Sequence, residues 1–420
     1  MHMGRVSQVV GLVAEAKGIQ LPVGSGVHLH LPEVGQVLGE VVGFRGPAMQ
    51  IMPYADCRGL SPGTLVSAAG QESLVKVGPE LLGRVIDGLG RAVDGGPEPA
   101  WHMLYPLYNS PPNPMQRPRI NEPVDVGIRI INALLTVGKG QRIGIFAGSG
   151  VGKSTLMGMI ARHTAADVSV IALVGERGRE LRDFIEKDLG EEGLKRSVVV
   201  VATSDQPALV RMRAAYLATT IAEYFRDQSR DVILMMDSVT RFALAGREVG
   251  LSVGEPPTTK GYTPSVFAQL PRLLERAGTG PSGGSITGIY TVLVEGDDVT
   301  EPVSDAMRSI LDGHIVLTRE LADRGHYPSV ELLGSISRLA KDINPAEVVG
   351  ASRQLSELLA LYRRNEDLIN IGAYQEGTNP KIDRALRMMD RINGFLTQKI
   401  EEGVDMAKSR QQLIQLMSRK

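Results

Sequence analysis

The chain has 420 residues, 43% hydrophobic and 22% charged, the balance of a globular protein with two or three domains. A formal net charge of −1 excludes the overall basic field that nucleic acid or an anionic membrane calls for. Cys57 is the single cysteine, which excludes an internal disulfide and a cysteine zinc cluster and fits a reducing cytoplasm.

The N-terminus shows no signal-peptide pattern, and no apolar run approaches the ~20 residues of a membrane helix. Residues 5–75 read as short strands at 9–13, 27–31, 37–43, 49–52 and 65–67, separated by Gly, Pro and Asp turns. Close turn spacing without helical stripes predicts a small β-barrel. The segment Gly83-Arg84-Val85-Ile86-Asp87-Gly88-Leu89-Gly90 is placed at the start of the next domain. Pro106, Pro111, Pro112, Pro114, Pro118 and Pro123 then forbid a helix and predict an extended segment across a surface.

From Gln141 strands and helices alternate. Apolar runs at 142–146, 168–174, 198–202, 232–236 and 286–294 are rich in β-branched residues and apolar on both faces, as in a parallel sheet covered on both sides. After Pro345 the spacing turns helical, over 347–369, 382–401 and, more weakly, 404–417.

The first strand of this region runs into Ala147-Gly148-Ser149-Gly150-Val151-Gly152-Lys153-Ser154-Thr155, and a helix follows. Strand, glycine loop and helix in this order form the context of a phosphate-binding P-loop. The glycines let backbone amides turn toward phosphate oxygens, and the helix N-terminus adds positive potential. Lys153 is expected at the β- and γ-phosphates of ATP, and Ser154 at Mg²⁺. Ala147 stands where the strict pattern has glycine. The bland alternative, a plain glycine turn before a helix, does not account for Gly-Lys-Ser. The run 232–236 ends in Asp237, at the edge of a parallel sheet where ligands bind, and Asp237 is expected to hold the Mg²⁺ shell through water. The segment Val174-Gly175-Glu176-Arg177-Gly178-Arg179-Glu180 allows two readings. Its carboxylates and arginines could polarise a water and neutralise phosphate, or they could form a charged surface loop; spacing alone does not decide.

These segments, with Met235-Met236-Asp237-Ser238-Val239-Thr240-Arg241-Phe242-Ala243, resemble the ATPases of flagellar and type III secretion protein export, relatives of the catalytic heads of rotary ATP synthases. The resemblance extends through Gly254–Phe267, Leu270–Gly278, Ile310–Leu317 and Ser335–Arg338, and Gly254-Glu255-Pro256-Pro257-Thr258-Thr259-Lys260-Gly261-Tyr262 looks more like the flagellar branch. It implies an α/β fold with a RecA-like P-loop core at 76–345, the β-barrel at 5–75 before it and a helical domain at 346–420 after it. By position, Glu176 matches the general base, Arg177 an arginine near the γ-phosphate and Arg241 the arginine that steadies the catalytic carboxylate. Arg338 matches an arginine finger toward the neighbouring subunit's nucleotide, and Tyr327 an aromatic that stacks on adenine.

The family forms hexameric rings around a central stalk protein, and the resemblance implies that residues 254–263 face the channel. The resemblance also implies stator and chaperone–substrate partners and an export gate, at the inner face of the cytoplasmic membrane. One chain carries both Glu176 and Arg338, so a ring of identical chains could be active at every interface. Two other readings compete. A catalytic subunit of an ion-pumping rotary ATPase would need a second, homologous chain. A Rho-like hexameric RNA translocase would need stacking aromatics and clustered cations in its β domain. Residues 5–75 offer only Phe44 and Tyr54 with Arg5, Lys17, Arg45 and Arg58, so no nucleic-acid partner is expected.

Overall fold

The computed structural model of the chain describes residues 3–33, 35–70, 73–99, 103–294 and 301–418. Six strands come first: β1 (Met3–Val10), β2 (Val13–Lys17), β3 (Gly26–Leu31), β4 (Gly35–Arg45), β5 (Ala48–Pro53) and β6 (Leu65–Ala68). They close a barrel in the order β1-β2-β5-β4-β3-β6, around Val6, Ala14, Val27, Leu29, Val41, Ile51 and Val66. The strand expected at 9–13 is instead a hairpin. Gly11, at φ 56°, supplies the left-handed turn, and Val10 and Leu12 are exposed. An apolar run without alternation had concealed this turn.

The chain then forms β7 (Leu74–Val77), β8 (Val85–Asp87) and β9 (Met103–Pro106), of which β7 and β9 pair antiparallel. The proline-rich stretch is irregular as expected, with one short turn at Pro114–Gln116. It is held down by Arg117, whose guanidinium donates to the carbonyls of Ala277, at 2.8 Å, and Glu275.

The central sheet is built from β8, β10 (Arg142–Ala147), β11 (Val168–Glu176), β12 (Ser197–Thr203), β13 (Asp231–Asp237), β14 (Gly278–Thr279), β15 (Ser285–Leu293), β16 (Gly313–Leu317) and β17 (Ile336–Ser337). Its order is β17-β16-β10-β15-β13-β11-β12-β8, with β14 on β15; β14 and β17 run antiparallel and the rest parallel. Alternate residues of β11 serve opposite cores. Val170, Ala172 and Val174 face the helices Ala208–Asp227, Val239–Ser252 and Pro264–Leu274. Ile171 and Leu173 face Arg129–Leu134, Lys153–His163 and the C-terminal helices.

Those C-terminal helices are Ala346–Asn370, Pro380–Leu396 and Met406–Ser418. The second stops five residues before the apolar spacing does, since Thr397 is extended (ψ 147°). The reason is tertiary. The buried guanidinium of Arg129 donates to the carbonyls of Gly394, Phe395 and Thr397 at 3.2–3.3 Å, capturing acceptors that end the helix. Among the described residues no helix is long and apolar enough to cross a membrane.

Candidate active site

Strand β10 ends at Ala147, and the chain turns through Gly148, Ser149, Gly150, Val151 and Gly152 into the helix that opens at Lys153. Gly150 and Gly152 take φ of 77° and 89°, a region that costs other residues energy, so glycine is required there. Ser154 is exposed in the first helical turn, and Thr155 beside it bonds the Asp188 carboxylate. Two residues that sequence reasoning missed fix the outer side of the loop. Ser329 Oγ donates to the Val151 carbonyl at 2.5 Å, and Arg319 donates to the Ser149 carbonyl at 2.9 Å. With its carbonyls held from behind, the loop keeps its amides for a ligand.

Sheet order brings the other groups to the same edge. Strand β15 lies between the P-loop strand and β13, and β11 lies beyond β13. Lys153 Nζ reaches across to donate to Asp237 Oδ1 and lies 3.8 Å from Glu176 Oε1. Thr291, on the intervening strand, donates to the same Asp237 oxygen at 2.7 Å. Sequence reasoning missed Thr291 too; its hydroxyl inside the apolar run 286–294 was the one signal, shared with Thr287 and Tyr290. Arg241, one turn after Asp237, places Nε 3.4 Å from Glu176 Oε1.

Glu176 is 8% exposed, and its Oε1 accepts no hydrogen bond although two cations stand near it. Burial pushes its carboxyl up to about 7, and the Asp237 charge adds to this, while Lys153 and Arg241 pull the other way. Such a carboxyl can exchange a proton near neutral pH, as a base that activates water must. The charged-loop reading of the 174–180 segment therefore fails for Glu176, which is buried among the P-loop partners.

Residues 127–337 match the family model described as "ATP synthase alpha/beta family, nucleotide-binding domain", and residues 6–70 match that family's beta-barrel domain. Residues 345–415 match the "T3SS EscN ATPase C-terminal domain". The chain is 56% identical over 401 residues to the flagellum-specific ATP synthase of Bacillus subtilis, covering 95% of this chain and 91% of that one. The chain belongs to the flagellar and type III secretion ATPase family.

It is thus an ATP hydrolase, and the export reading holds over the ion-pumping and RNA-translocase alternatives. The Salmonella typhimurium flagellum-specific ATP synthase is 49% identical, over 98% of this chain and 92% of its own. Among solved structures, the assembled ATPase EscN of the enteropathogenic E. coli type III secretion system superposes with TM-score 0.94 at 45% identity, covering 99% of this chain and 100% of that one. EscN in complex with its central stalk EscO gives TM-score 0.91 at 44% identity, with the same coverage.

Within a single subunit of the ATPase, three expected site residues stand apart from the Lys153–Glu176–Asp237–Arg241 cluster. Arg177 directly precedes the helix Gly178–Asp183, and its side chain, 77% exposed, pairs with Glu180 at 3.7 Å. Tyr327 is 44% exposed, and its ring lies 3.4 Å from where a side chain at Gly152 would begin. It borders a cavity of about 820 Å³ that Gly150, Thr155, Leu156 and Gln398 also line. Arg338 is exposed at the far end of the sheet: its amide donates to the Asp312 carbonyl at 3.0 Å, before β16 begins, and its guanidinium touches the Arg308 carbonyl at 3.4 Å.

Proposed function

We propose that this protein hydrolyses MgATP at the interfaces of a ring of identical subunits, with no second chain type required, and uses the energy to drive protein export.

 Each interface would join one subunit's P-loop to the next subunit's Arg338. The observation that carries this reading is the position of Arg338. The P-loop leaves the C-terminal end of β10, whereas Arg338 pairs at the N-terminal end of the neighbouring β16. The two ends of such a strand lie about 17 Å apart, too far for Arg338 to serve its own nucleotide.

The residues present fit a nucleotide with a divalent ion. The P-loop amides and Lys153 would hold the phosphates, and Ser154 and Asp237 would hold Mg²⁺, an oxygen-ligand set of the kind Mg²⁺ takes. Among the described residues no group of three or more His, Cys, Asp or Glu could hold a metal by itself, so substrate phosphate would complete the set. The ion, when bound, neutralises phosphate charge. The Lys153–Asp237 contact supports this assignment, since each group stands in for the charge the other would meet in the ligand. Glu176 would take a proton from the attacking water, with Arg241 holding its carboxylate. Arg177 would turn toward the γ-phosphate only on ligand binding, and Tyr327 would stack on adenine.

The division into a barrel at 5–75, an ATPase core at 76–345 and a helical domain at 346–420 belongs to the same reading. So do a hexameric state, a central stalk gripped by residues 254–263, stator and chaperone–substrate partners, and a cytoplasmic place beside an export gate in the membrane. The flagellar branch is favoured by 56% identity to the Bacillus subtilis flagellar protein, against 49% to the type 3 secretion system ATPase of Xanthomonas euvesicatoria.

Mixing two inactive variants tests the shared site. Arg338→Ala should bind ATP yet lose ~10³-fold or more in turnover. Lys153→Ala should lose its own P-loop but keep its finger. Subunit exchange between them rebuilds whole interfaces, so activity should return. Rings shown to be mixed that stay inactive would reject a finger acting in trans, and full activity of Arg338→Ala alone would reject any catalytic role for it.

A further inference from the structure

The cavity beside the P-loop has two walls from different parts of the chain. Gly152, Leu156 and Tyr327 form one, and the segment 397–402, after the helix Pro380–Leu396, forms the other. Three residues bind these walls together. The Gln398 amide N–H donates to the Tyr327 carbonyl at 2.9 Å. The Gln398 side chain donates to the carbonyls of Gly127 and Glu402 at 2.9 and 2.6 Å, and accepts from the Arg129 amide at 2.7 Å. The Arg129 guanidinium, besides ending the helix, donates to Glu402 Oε1 at 2.5 Å. The hydrogen-bonding of Gln398 is thus directed into the fold, and the segment forms a fixed wall rather than a loose loop.

None of the three residues touches Lys153, Glu176, Asp237 or Arg241 through any of these bonds. A wall fixed in advance spares the ligand the entropy of ordering it, and an aromatic ring held still gains most from stacking. We propose that Arg129, Gln398 and Glu402 are positioning residues that hold Tyr327 and the 397–402 segment as the wall for the nucleotide base. Through them the C-terminal helical domain sets affinity for the base and leaves the grip on the phosphates unchanged. This rests on the reading of Tyr327 as the stacking residue.

The test compares ATP with a ligand that has phosphates and no base. The full chain is assayed for KM and kcat with MgATP, and for inhibition of that turnover by inorganic triphosphate with Mg²⁺. Glu402→Ala and Gln398→Met should each raise the KM for ATP about three- to tenfold, a fraction of a base-stacking contact. The inhibition constant of triphosphate and the kcat should stay within about twofold, a change too small to register as a lost contact. Glu402→Gln keeps an acceptor for Arg129 and should restore most of the affinity. Glu402 is partly exposed, so its variants test the idea even if Gln398→Met does not fold. Equal weakening of both ligands, or of neither, would overturn the proposal. Tyr327→Ala separates the two levels: if it leaves the ratio of ATP to triphosphate affinity unchanged, the stacking reading itself fails. If it changes that ratio while Glu402→Ala and Gln398→Met do not, only the positioning role fails.

Discussion

Arg241 lies alongside Glu176, its Nε 3.4 Å from the carboxylate, while another nitrogen of the same guanidinium donates to the Gly175 carbonyl. The backbone at Gly175 makes room for this, with φ at 73° and a side chain there destined to meet Arg241 at 2.8 Å. Arg241 thus does two things: it orients the strand end that bears Glu176, and it lowers the cost of charging it. Arg241→Ala should reduce kcat by ~10²-fold, the scale of a misplaced general base, and move the rising limb of the pH–rate profile upward. A parent-like profile would show that Arg241 leaves the carboxyl alone.

Glu176 carries the pH dependence. Its carboxyl is pushed up to about 7, so turnover should rise with pH through that region as the base loses its proton. Glu176→Gln should lower turnover ~10²-fold or more while binding MgATP. Turnover within about threefold of the parent would contradict a base role of that size.

The same group makes a stability prediction of definite sign. Its folded value, about 7, exceeds the ordinary 4.5, so the folded state binds more protons between those values. Stability from this group is full below about pH 4.5 and is lost as pH rises through 7. Glu176→Gln removes that loss. Its melting temperature relative to the parent should therefore climb between pH 5 and 8, measured without nucleotide, and a constant difference would show no shifted carboxyl.

Lys153 is the counter-charge of two buried carboxylates as well as the expected phosphate ligand. Lys153→Ala should abolish MgATP binding along with turnover. Titration of the variant with a fluorescent ATP analogue checks this, and unchanged micromolar affinity would defeat the P-loop assignment.

Glu223 and Arg276 form an ion pair with both side chains 1% exposed, and Arg276 also donates to the Leu107 carbonyl at 2.8 Å. The pair fastens the start of the proline-rich stretch to the helix Ala208–Asp227. Glu223→Ala strands a buried cation and should cost about 3–5 kcal/mol in denaturant unfolding. A loss below about 1 kcal/mol would place the pair with exposed ones.

The sequence by itself determined the P-loop, the strands that carry Glu176 and Asp237, and the helical character of the C-terminal region. These are local properties: glycines at fixed offsets, apolar runs of one period, and a lysine that must open a helix. Even local reading failed at Gly11 and at Thr397, where one glycine turn and one distant guanidinium ended elements that hydrophobicity would have continued. Tertiary structure alone decided which residues meet. The insertion of β15 between β10 and β13 sets the span that Lys153 crosses and brings Thr291 to Asp237. Strand direction sends Arg338 to the end of the sheet away from its own P-loop. The segment 397–402 meets Tyr327 through the Gln398 amide, and Arg129, some 270 positions earlier, bonds the same segment at Thr397 and Glu402. Spacing along a chain fixes neighbours within one element, whereas sheet order and long-range hydrogen bonds depend on how separate elements pack, which no local pattern encodes.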